Sequence, residues 1–364
     1  MKKILFGITS LTLGGAERVL VDIANKLAET YEITIFTLYA GGELEASLNP
    51  KIKRKTVYNT GYTELSSIEK KKISLKLLFK KKQLYKQNVT GDYDIEIAFL
   101  EGPITRLLAV KNKNVRKIAW VHNDISLVFG SGISASLKKW LEKKSYKSYE
   151  KLIFVSEDNL SSFEKCFSID VPKQIIYNYI DSASVKEKAE EQLKTNYNPN
   201  KINLVTVARL VEQKGIDRWI RVYSKLKKEG TNISVYVVGD GPLKQNLEEQ
   251  IKQEEIQDDF ILLGKKKNPY PYINNADYFC LFSYFEGYGM VLEEAKILNK
   301  PILITDTAAR EAVKDYKSAT IFKNTEEALL EGLKKITQKP HIEYQTEYKN
   351  EERIEQIIEL IGGE

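Results

Sequence analysis

The sequence predicts an α/β protein made of two doubly wound parallel-sheet domains. Three observations predict it. Short apolar runs alternate with helical patterns along most of the 364 residues. The runs fall into two series, divided by a polar, charged stretch whose "NYNPN" at 196–200 is a strong turn signal. Glycines, carboxylates and cationic residues stand just after the strand candidates, where α/β domains hold their ligands. A chain of this length has room for two separate cores.

In order, the first element is "KILFGIT" (3–9). Two lysines followed by an apolar stretch imitate a secretory leader, but no small-x-small cleavage site follows, and "GGAERVLVDIANKLAET" continues as an amphipathic helix. The segment is therefore read as a buried first strand. Further strands are expected at 32–38, 94–100, 116–122 and 151–156, then at 202–208, 233–239, 260–264, 278–282 and 301–305. Helical patterns fall between them, among others at 214–229, 242–254 and 289–298. The expected organisation is an N-terminal domain over 1–180, a hinge over 181–200, a C-terminal domain over 201–340 and a closing helical segment over 341–364. The closing helix carries Ile354, Ile357, Ile358 and Ile361 on one stripe and either caps the second domain or crosses back to the first. No run approaches the ~18–20 apolar residues needed to span a bilayer.

Composition excludes several classes. Hydrophobic content of 42% and charged content of 29% are ordinary for a globular protein. The net charge of +6 is local: window 69–86 is net +7 and window 138–151 net +4, so the remainder is net negative. Cys166 and Cys280 lie far apart in apolar surroundings, as reduced, buried thiols of a cytosolic protein do, and two His with two Cys make no zinc pattern.

Candidate site residues follow the strands. Gly14 and Gly15 open a helix, either as a plain tight turn or so that bare backbone can approach an anion. They are not Gly-x-Gly-x-x-Gly, so a dinucleotide cofactor gains no support. In "ARLVEQKGID", Arg209 and Lys214 converge from one strand-to-helix loop; a guanidinium fork and an ammonium suit a diphosphate, against the alternative of two solvated charges. Gly239 and Gly241 in "GDGPLKQNLEE" could lie against a planar base or form only a turn. His122, after "WV", is structural unless its place at a strand end gives it a ligand. In "FEGYGMVLEEA", Gly287 and Gly289 clear space beside Glu286, and the helix starting near Gly289 offers the N–H groups of Met290 and Val291 to an anion. Glu286 precedes this helix and Glu294 lies one to two turns inside it. Two carboxylates along one ligand, with a phosphate between, fit hydroxyl-bearing groups at both ends. A glycosidase pair is hard to build from a single loop-helix element.

In this order the motifs resemble a retaining glycosyltransferase of family four with the GT-B fold, two Rossmann-like domains facing across a cleft. "LGGAERVL", "KLIFVSE", "IIYNYID", "VARLVEQKGID", "VGDGPLKQNLE", "FILLGKK" and "SYFEGYGMVLEEA" carry the resemblance over nearly the whole chain. The last holds the family's Glu-x7-Glu pattern as Glu286 and Glu294. The resemblance implies that Arg209 and Lys214 bind the diphosphate of a nucleotide sugar, Glu286 the sugar hydroxyls and Glu294 the ribose. It implies that His122 reaches the sugar, that Gly15 approaches the phosphates, and that Gly239, Gly241 and Gly264 border the base. It further implies retention of anomeric configuration, with donor phosphate taking the acceptor proton, and neither metal nor other cofactor. "DTAAREAV" departs from the pattern, with Ala308 and Ala309 where many relatives carry glycine before the residue matching Glu311.

The expected reaction moves a hexose or N-acetylhexosamine from a UDP-sugar, the base chosen on family frequency, to a glycan, lipid-linked or cell-wall acceptor. Window 69–86 reads as a basic helix with Ile73, Leu77 and Leu84 on one stripe. Lys70, Lys71, Lys72, Lys80, Lys81 and Lys82 would face an anionic membrane, placing the protein in the cytoplasm at the inner face of the cell membrane. The other reading of that run is a solvated surface helix. Nucleic acid is not an expected partner, since no recognised binding fold accompanies the lysines. The competing functions are a nucleotide-sugar epimerase of similar architecture and a non-catalytic partner subunit of another glycosyltransferase.

Overall fold

The computed structural model describes residues 1–123, 125, 133–195, 197–338 and 350–362. The chain divides into two compact units: Met1–Ile180 with Asn350–Glu364, and Asp181–Lys349.

The first unit is a seven-stranded parallel sheet in the order β3-β2-β1-β4-β5-β6-β7. Its strands are β1 Lys3–Ile8, β2 Glu32–Tyr39, β3 Lys53–Tyr58, β4 Ile95–Ala98, β5 Arg116–Val121, β6 Lys151–Phe154 and β7 Lys173–Ile175. Helices α1 Gly15–Leu27, α2 Ser67–Phe79, α3 Lys81–Asn88, α4 Pro103–Leu108, α5 Ile133–Tyr146 and α6 Glu157–Cys166 connect them. The central strands are buried on both faces, which is why they read as near-continuous apolar runs. Ile4 on β1 sits between Ile33 on β2 and Ile95 on β4. A polar cluster interrupts this core: Lys117 on β5 pairs with Glu96 on β4, and its ammonium donates to the Leu108 carbonyl at 2.8 Å. The Tyr85 hydroxyl donates to Glu96 at 2.5 Å, so the buried carboxylate is bonded from two sides.

The second unit is a six-stranded parallel sheet in the order β10-β9-β8-β11-β12-β13. Its strands are β8 Ile202–Val207, β9 Ile233–Val238, β10 Phe260–Gly264, β11 Tyr278–Leu281, β12 Ile302–Thr305 and β13 Ala319–Phe322. Its helices are α7 Ser182–Ala189, α8 Ile216–Lys228, α9 Lys244–Gln253, α10 Tyr270–Asn275, α11 Met290–Ile297 and α12 Glu326–Gln338. Trp219, Tyr223, Phe260 and Phe282 pack edge-to-face at the centre of this core. The last helix, α13 Glu351–Gly362, rejoins the first unit. Lys2 donates to the Ile361 carbonyl at 3.2 Å, and Arg353 to the Asn178 carbonyl at 2.7 Å.

Both sheets are of the doubly wound class that the sequence predicts, and all ten expected strands form. Three more, β3, β7 and β13, lie at sheet edges. An edge strand has one neighbour and much exposed surface, so "KRKTVY" and "KQI" carry too few apolar residues to register as strands.

Five details go against or beyond expectation. Window 69–86 breaks at Lys80, where α2 gives way to α3. Its Ile73–Leu77–Leu84 stripe packs into the domain core rather than facing outward. On α13, Leu360 is buried and Ile358 exposed, because the helix presents its 354–357–361 face with Leu360 beside it. Cys166 ends α6 half-buried, whereas Cys280 is fully enclosed in β11. The segment read as a hinge is helical over α7, capped by Asp181, whose carboxylate accepts from the amides of Ala183 and Ser184.

Candidate active site

Strand order reverses between β1 and β4 in the first sheet and between β8 and β11 in the second, so the loops after those strands diverge and leave a crevice. The sequence candidates fall largely on these loops.

In the second unit, β8 ends and Arg209 stands exposed at the start of the loop. Leu210 donates to the Asp240 carbonyl at 3.0 Å, tying this loop to the one after β9. Glu212–Lys214 forms one 3-10 turn, and Gly215, at φ 63°, starts α8. A side chain at Gly215 would meet the Phe282 carbonyl oxygen at 2.5 Å, so glycine is required both by conformation and by space. This tight approach joins the 211–215 loop to the 282–286 loop. Tyr284 donates its amide to the Gln213 carbonyl at 2.9 Å, and Gln213 Nε2 donates to the Phe285 carbonyl at 3.1 Å.

That seam brings Lys214 and Glu286 into an ion pair, with both side chains mostly shielded from solvent. The Ser283 hydroxyl donates to the same Glu286 oxygen at 3.1 Å. Gly287 lies open beside them, with no atom within 4 Å of the point where a side-chain methyl would stand. Gly289, at φ 71°, starts α11 with Met290 and Val291 in its first turn. Glu294 is buried one turn further in and accepts from the Tyr270 hydroxyl at 3.0 Å. The two carboxylates therefore have separate partners on separate elements. Neighbouring Glu293 is wholly buried and accepts from the Tyr288 hydroxyl at 2.6 Å and from Lys296 at 2.9 Å. Lys296 also donates to the Ala312 carbonyl at 2.6 Å, which locks the rotation of α11 and so the direction of Glu294. Ala309 packs against Gly289 in the 3-10 segment Ala308–Val313, and Glu311 sits half-buried in that segment. Gly239 donates to the Gly264 carbonyl at 3.1 Å, and a side chain at Gly239 or Gly241 would collide with the backbone at Ala208 or Leu210. These glycines let adjacent loops close on one another, while Gly264 has open space around it.

Arg218 was not singled out by sequence, yet it fastens this assembly. It is 3% exposed and donates to the carbonyls of Phe282 at 2.7 Å and Ser283 at 3.3 Å, and to Asn324 Oδ1 at 2.7 Å. Its guanidinium lies 4.3 Å from the centre of the Tyr284 ring. Burial lowers its pKa from the ordinary arginine value. Asn324 in turn donates to the Tyr284 carbonyl at 2.8 Å. The "QKGIDR" stretch carried a signal, since a glycine before a helix marks a tight approach; the partners of Arg218 are distant in sequence and carried none.

In the first unit, Gly14 caps α1 and Gly15 begins it. Glu17 stands in the first turn of that helix, its pKa raised by burial, so a carboxylate already shares the helix start with any anion that approaches. His122 follows β5, its ring 4.6 Å from Phe99 and 6.2 Å from Trp120. Burial pushes its pKa down to about 3, which keeps the imidazole neutral at ordinary pH. Its Nε2 has no hydrogen-bond partner among the described residues. Glu101, also not singled out by sequence, supports it: one oxygen accepts the amides of His122 and Asn123, and the other accepts Asn123 Nδ2 at 2.9 Å. Burial raises the Glu101 pKa, partly offset by those backbone bonds.

Comparison with known proteins gives the family and the fold. The model for "Glycosyl transferases group 1" matches residues 187–355, and that for "Glycosyltransferase Family 4" matches 13–184. The chain belongs to the group 1 glycosyltransferases. Among similar curated proteins is the N-acetylgalactosamine-N,N'-diacetylbacillosaminyl-diphospho-undecaprenol 4-alpha-N-acetylgalactosaminyltransferase of Campylobacter jejuni, 27% identical over 350 residues, covering 92% of this chain and 90% of that one. A second Campylobacter jejuni enzyme, an alpha-1,4-N-acetyl-D-galactosaminyltransferase acting on GalNAc-alpha-(1->4)-GalNAc-alpha-(1->3)-diNAcBac-PP-undecaprenol, is 26% identical and covers 81% of this chain and 77% of its own. Among solved structures, Anabaena HepE in complex with UDP and glucose superposes with a TM-score of 0.73 at 18% identity, covering all of both chains. The glycosyltransferase thus has the GT-B fold. Among its described residues no helix is long and apolar enough to cross a membrane.

Proposed function

We propose that this glycosyltransferase moves a hexose or N-acetylhexosamine, with retention of configuration and without metal, from a UDP-sugar to a lipid-linked glycan. The observation that carries the reading is the seam of the 211–215 and 282–286 loops at the switch point of the second sheet. It sets Lys214 beside Glu286, with Arg209 exposed on the same loop. In the reaction the sugar C1–O bond breaks and the nucleotide diphosphate leaves with the electron pair. Arg209 and Lys214 stabilise the charge that develops there. Glu286 orients sugar hydroxyls, and Glu294, held by Tyr270, takes the ribose hydroxyls. The acceptor hydroxyl attacks from the leaving-group face and passes its proton to the departing phosphate. Neutral His122 offers a hydrogen-bonding nitrogen to substrate, on a backbone steadied by Glu101.

The UDP bound in HepE and the diphospho-undecaprenol acceptors named for the two Campylobacter jejuni relatives support the choice of donor and acceptor. Cytoplasmic peripheral attachment to an anionic membrane completes the reading. With Ile73 and Leu77 used in the core, the surface for it is the outer side of α2, where Ile68, Leu75 and Phe79 are exposed among Lys70, Lys71, Lys72 and Lys80.

The test is nucleotide release from a panel of UDP- and GDP-sugars, with and without chelator. Chelator-resistant release from one donor, lost in Glu286→Ala and Arg209→Ala, is expected. Release unchanged in both variants would overturn the site assignment, and release abolished by chelator would overturn metal independence. Sedimentation with anionic vesicles tests attachment; absence of binding at low salt would remove it.

A further inference from the structure

A groove of about 630 Å³ opens in the first unit where the α2–α3 elbow meets α4 and α5. Its walls hold Lys81, Lys82, Lys86, Arg106, Lys111 and Lys144, and no carboxylate among the described residues lines it. Glu142, behind the wall, is engaged by Arg106. The lysines of the elbow sit in an unusual place. Lys80, Lys81 and Lys82 occupy the start of α3, the positive end of the helix dipole, and no acidic residue stands in that first turn. Cations accumulated there repel one another, and Lys81, half-buried, is shifted toward its neutral form by burial and then by Lys144, Arg106 and Lys82.

Apart from Ser145, the rest of the groove is apolar. Leu77 forms its floor, and Leu78 and Trp140 stand at its walls, 37% and 56% exposed. Lys144 lies 5.2 Å from the centre of the Trp140 ring. Exposed tryptophan beside converging ammonium groups suits a ligand with a charged head and a hydrocarbon body. The volume is that of a small-molecule site.

We propose that this groove binds the diphosphate head and adjoining hydrocarbon of an isoprenoid-type lipid carrier. The proposal rests on the lipid-linked acceptor reading above and names the residues that would hold that acceptor's anchor. Lys81, Lys82 and Lys144 take the diphosphate oxygens, and Leu78 with Trp140 covers the first part of the chain.

Trp120 and Trp219 are buried, so Trp140 is the exposed indole and its fluorescence reports the groove. Farnesyl diphosphate is the probe, with pyrophosphate, farnesol and phosphatidylglycerol vesicles as comparisons. Farnesyl diphosphate should saturate the signal, and pyrophosphate and farnesol should each bind roughly tenfold or more weakly. Lys81→Gln/Lys144→Gln should weaken farnesyl diphosphate by roughly tenfold or more, while Lys70→Gln/Lys71→Gln on outer α2 should not. Equal binding of pyrophosphate would make this a free-anion site and overturn the proposal. So would vesicles competing while farnesyl diphosphate fails to bind, or unchanged binding in the groove variant. Thermal melts confirm that the variants fold, and calorimetry on Trp140→Phe keeps the measurement independent of the reporter. Transfer to a lipid-diphosphate-linked sugar separates the two readings. Wild-type transfer with unchanged KM in the groove variant sinks the groove and leaves the function standing. Groove-dependent binding without any such transfer sinks the acceptor and leaves the groove.

Discussion

Arg218→Met isolates what holds the Glu286 loop in place. Methionine keeps much of the volume inside the second core but removes the donors to Phe282, Ser283 and Asn324. Two of those bonds are short, at 2.7 Å, and come from a charged donor, so each is worth ~1.5–3 kcal/mol. Removing the guanidinium also removes its burial cost, visible in its lowered pKa, and that offsets part of the loss. The net destabilisation is expected at about 2–4 kcal/mol. Trp219, 4.9 Å from Phe282, reports unfolding of this core by fluorescence, and a urea series at constant slope gives the difference. A loop shifted by about 1 Å costs on the order of a hundredfold in turnover. Nucleotide release should therefore fall in conditions where the variant is still folded. A variant with wild-type midpoint and wild-type release would refute the assignment of Arg218 as a positioning residue.

Three further outcomes are expected. Gly215→Ala places a methyl against the Phe282 carbonyl at a left-handed position, and it should lose about 1–3 kcal/mol with reduced nucleotide release, read by the same fluorescence series. His122, with its pKa lowered to about 3, should stay neutral in an NMR titration down to pH 5. The stability it confers is present above its ordinary pKa of 6.5 and is lost as pH falls toward 3. Glu142 runs the other way: burial, opposed by Arg106, raises its pKa from 4.5 to about 7, so its contribution is present below 4.5 and is lost as pH rises through 7. Glu142→Gln should flatten that decline between pH 5 and 7 in chemical denaturation; a slope identical to wild type would refute it.

The interior strands and the glycine-bearing loops were legible because their causes are local. Runs such as 233–239 can satisfy their apolar surface only between two layers, and glycine before a helix marks a close approach wherever it falls. Edge strands escaped because solvent accepts their polar residues. Lys214 and Glu286 were both visible, but not their pairing, since they lie 72 residues apart and meet only through β8 and β11. Arg218 read as one more cation on an amphipathic helix, because nothing near it in sequence says that its carbonyl acceptors lie after β11. Glu101 escaped for the same reason: its partners follow a different strand. The Ile73–Leu77–Leu84 stripe was legible as a stripe but not as to its side, since a periodic apolar face reads the same against a core as against a membrane.

The return of α13 to the first unit gives the protein an order of assembly that its numbering hides. All seven strands of the first sheet leave the ribosome before residues 181–349, yet the helix that buries Ile354, Ile357, Leu360 and Ile361 against that unit follows them. At translation rates of ~5–20 residues per second the surface awaiting α13 stays uncovered for on the order of ten seconds or more. The first domain to be made is thus the last to be finished, and damage near residue 354 should be felt in the fold that begins at residue 3.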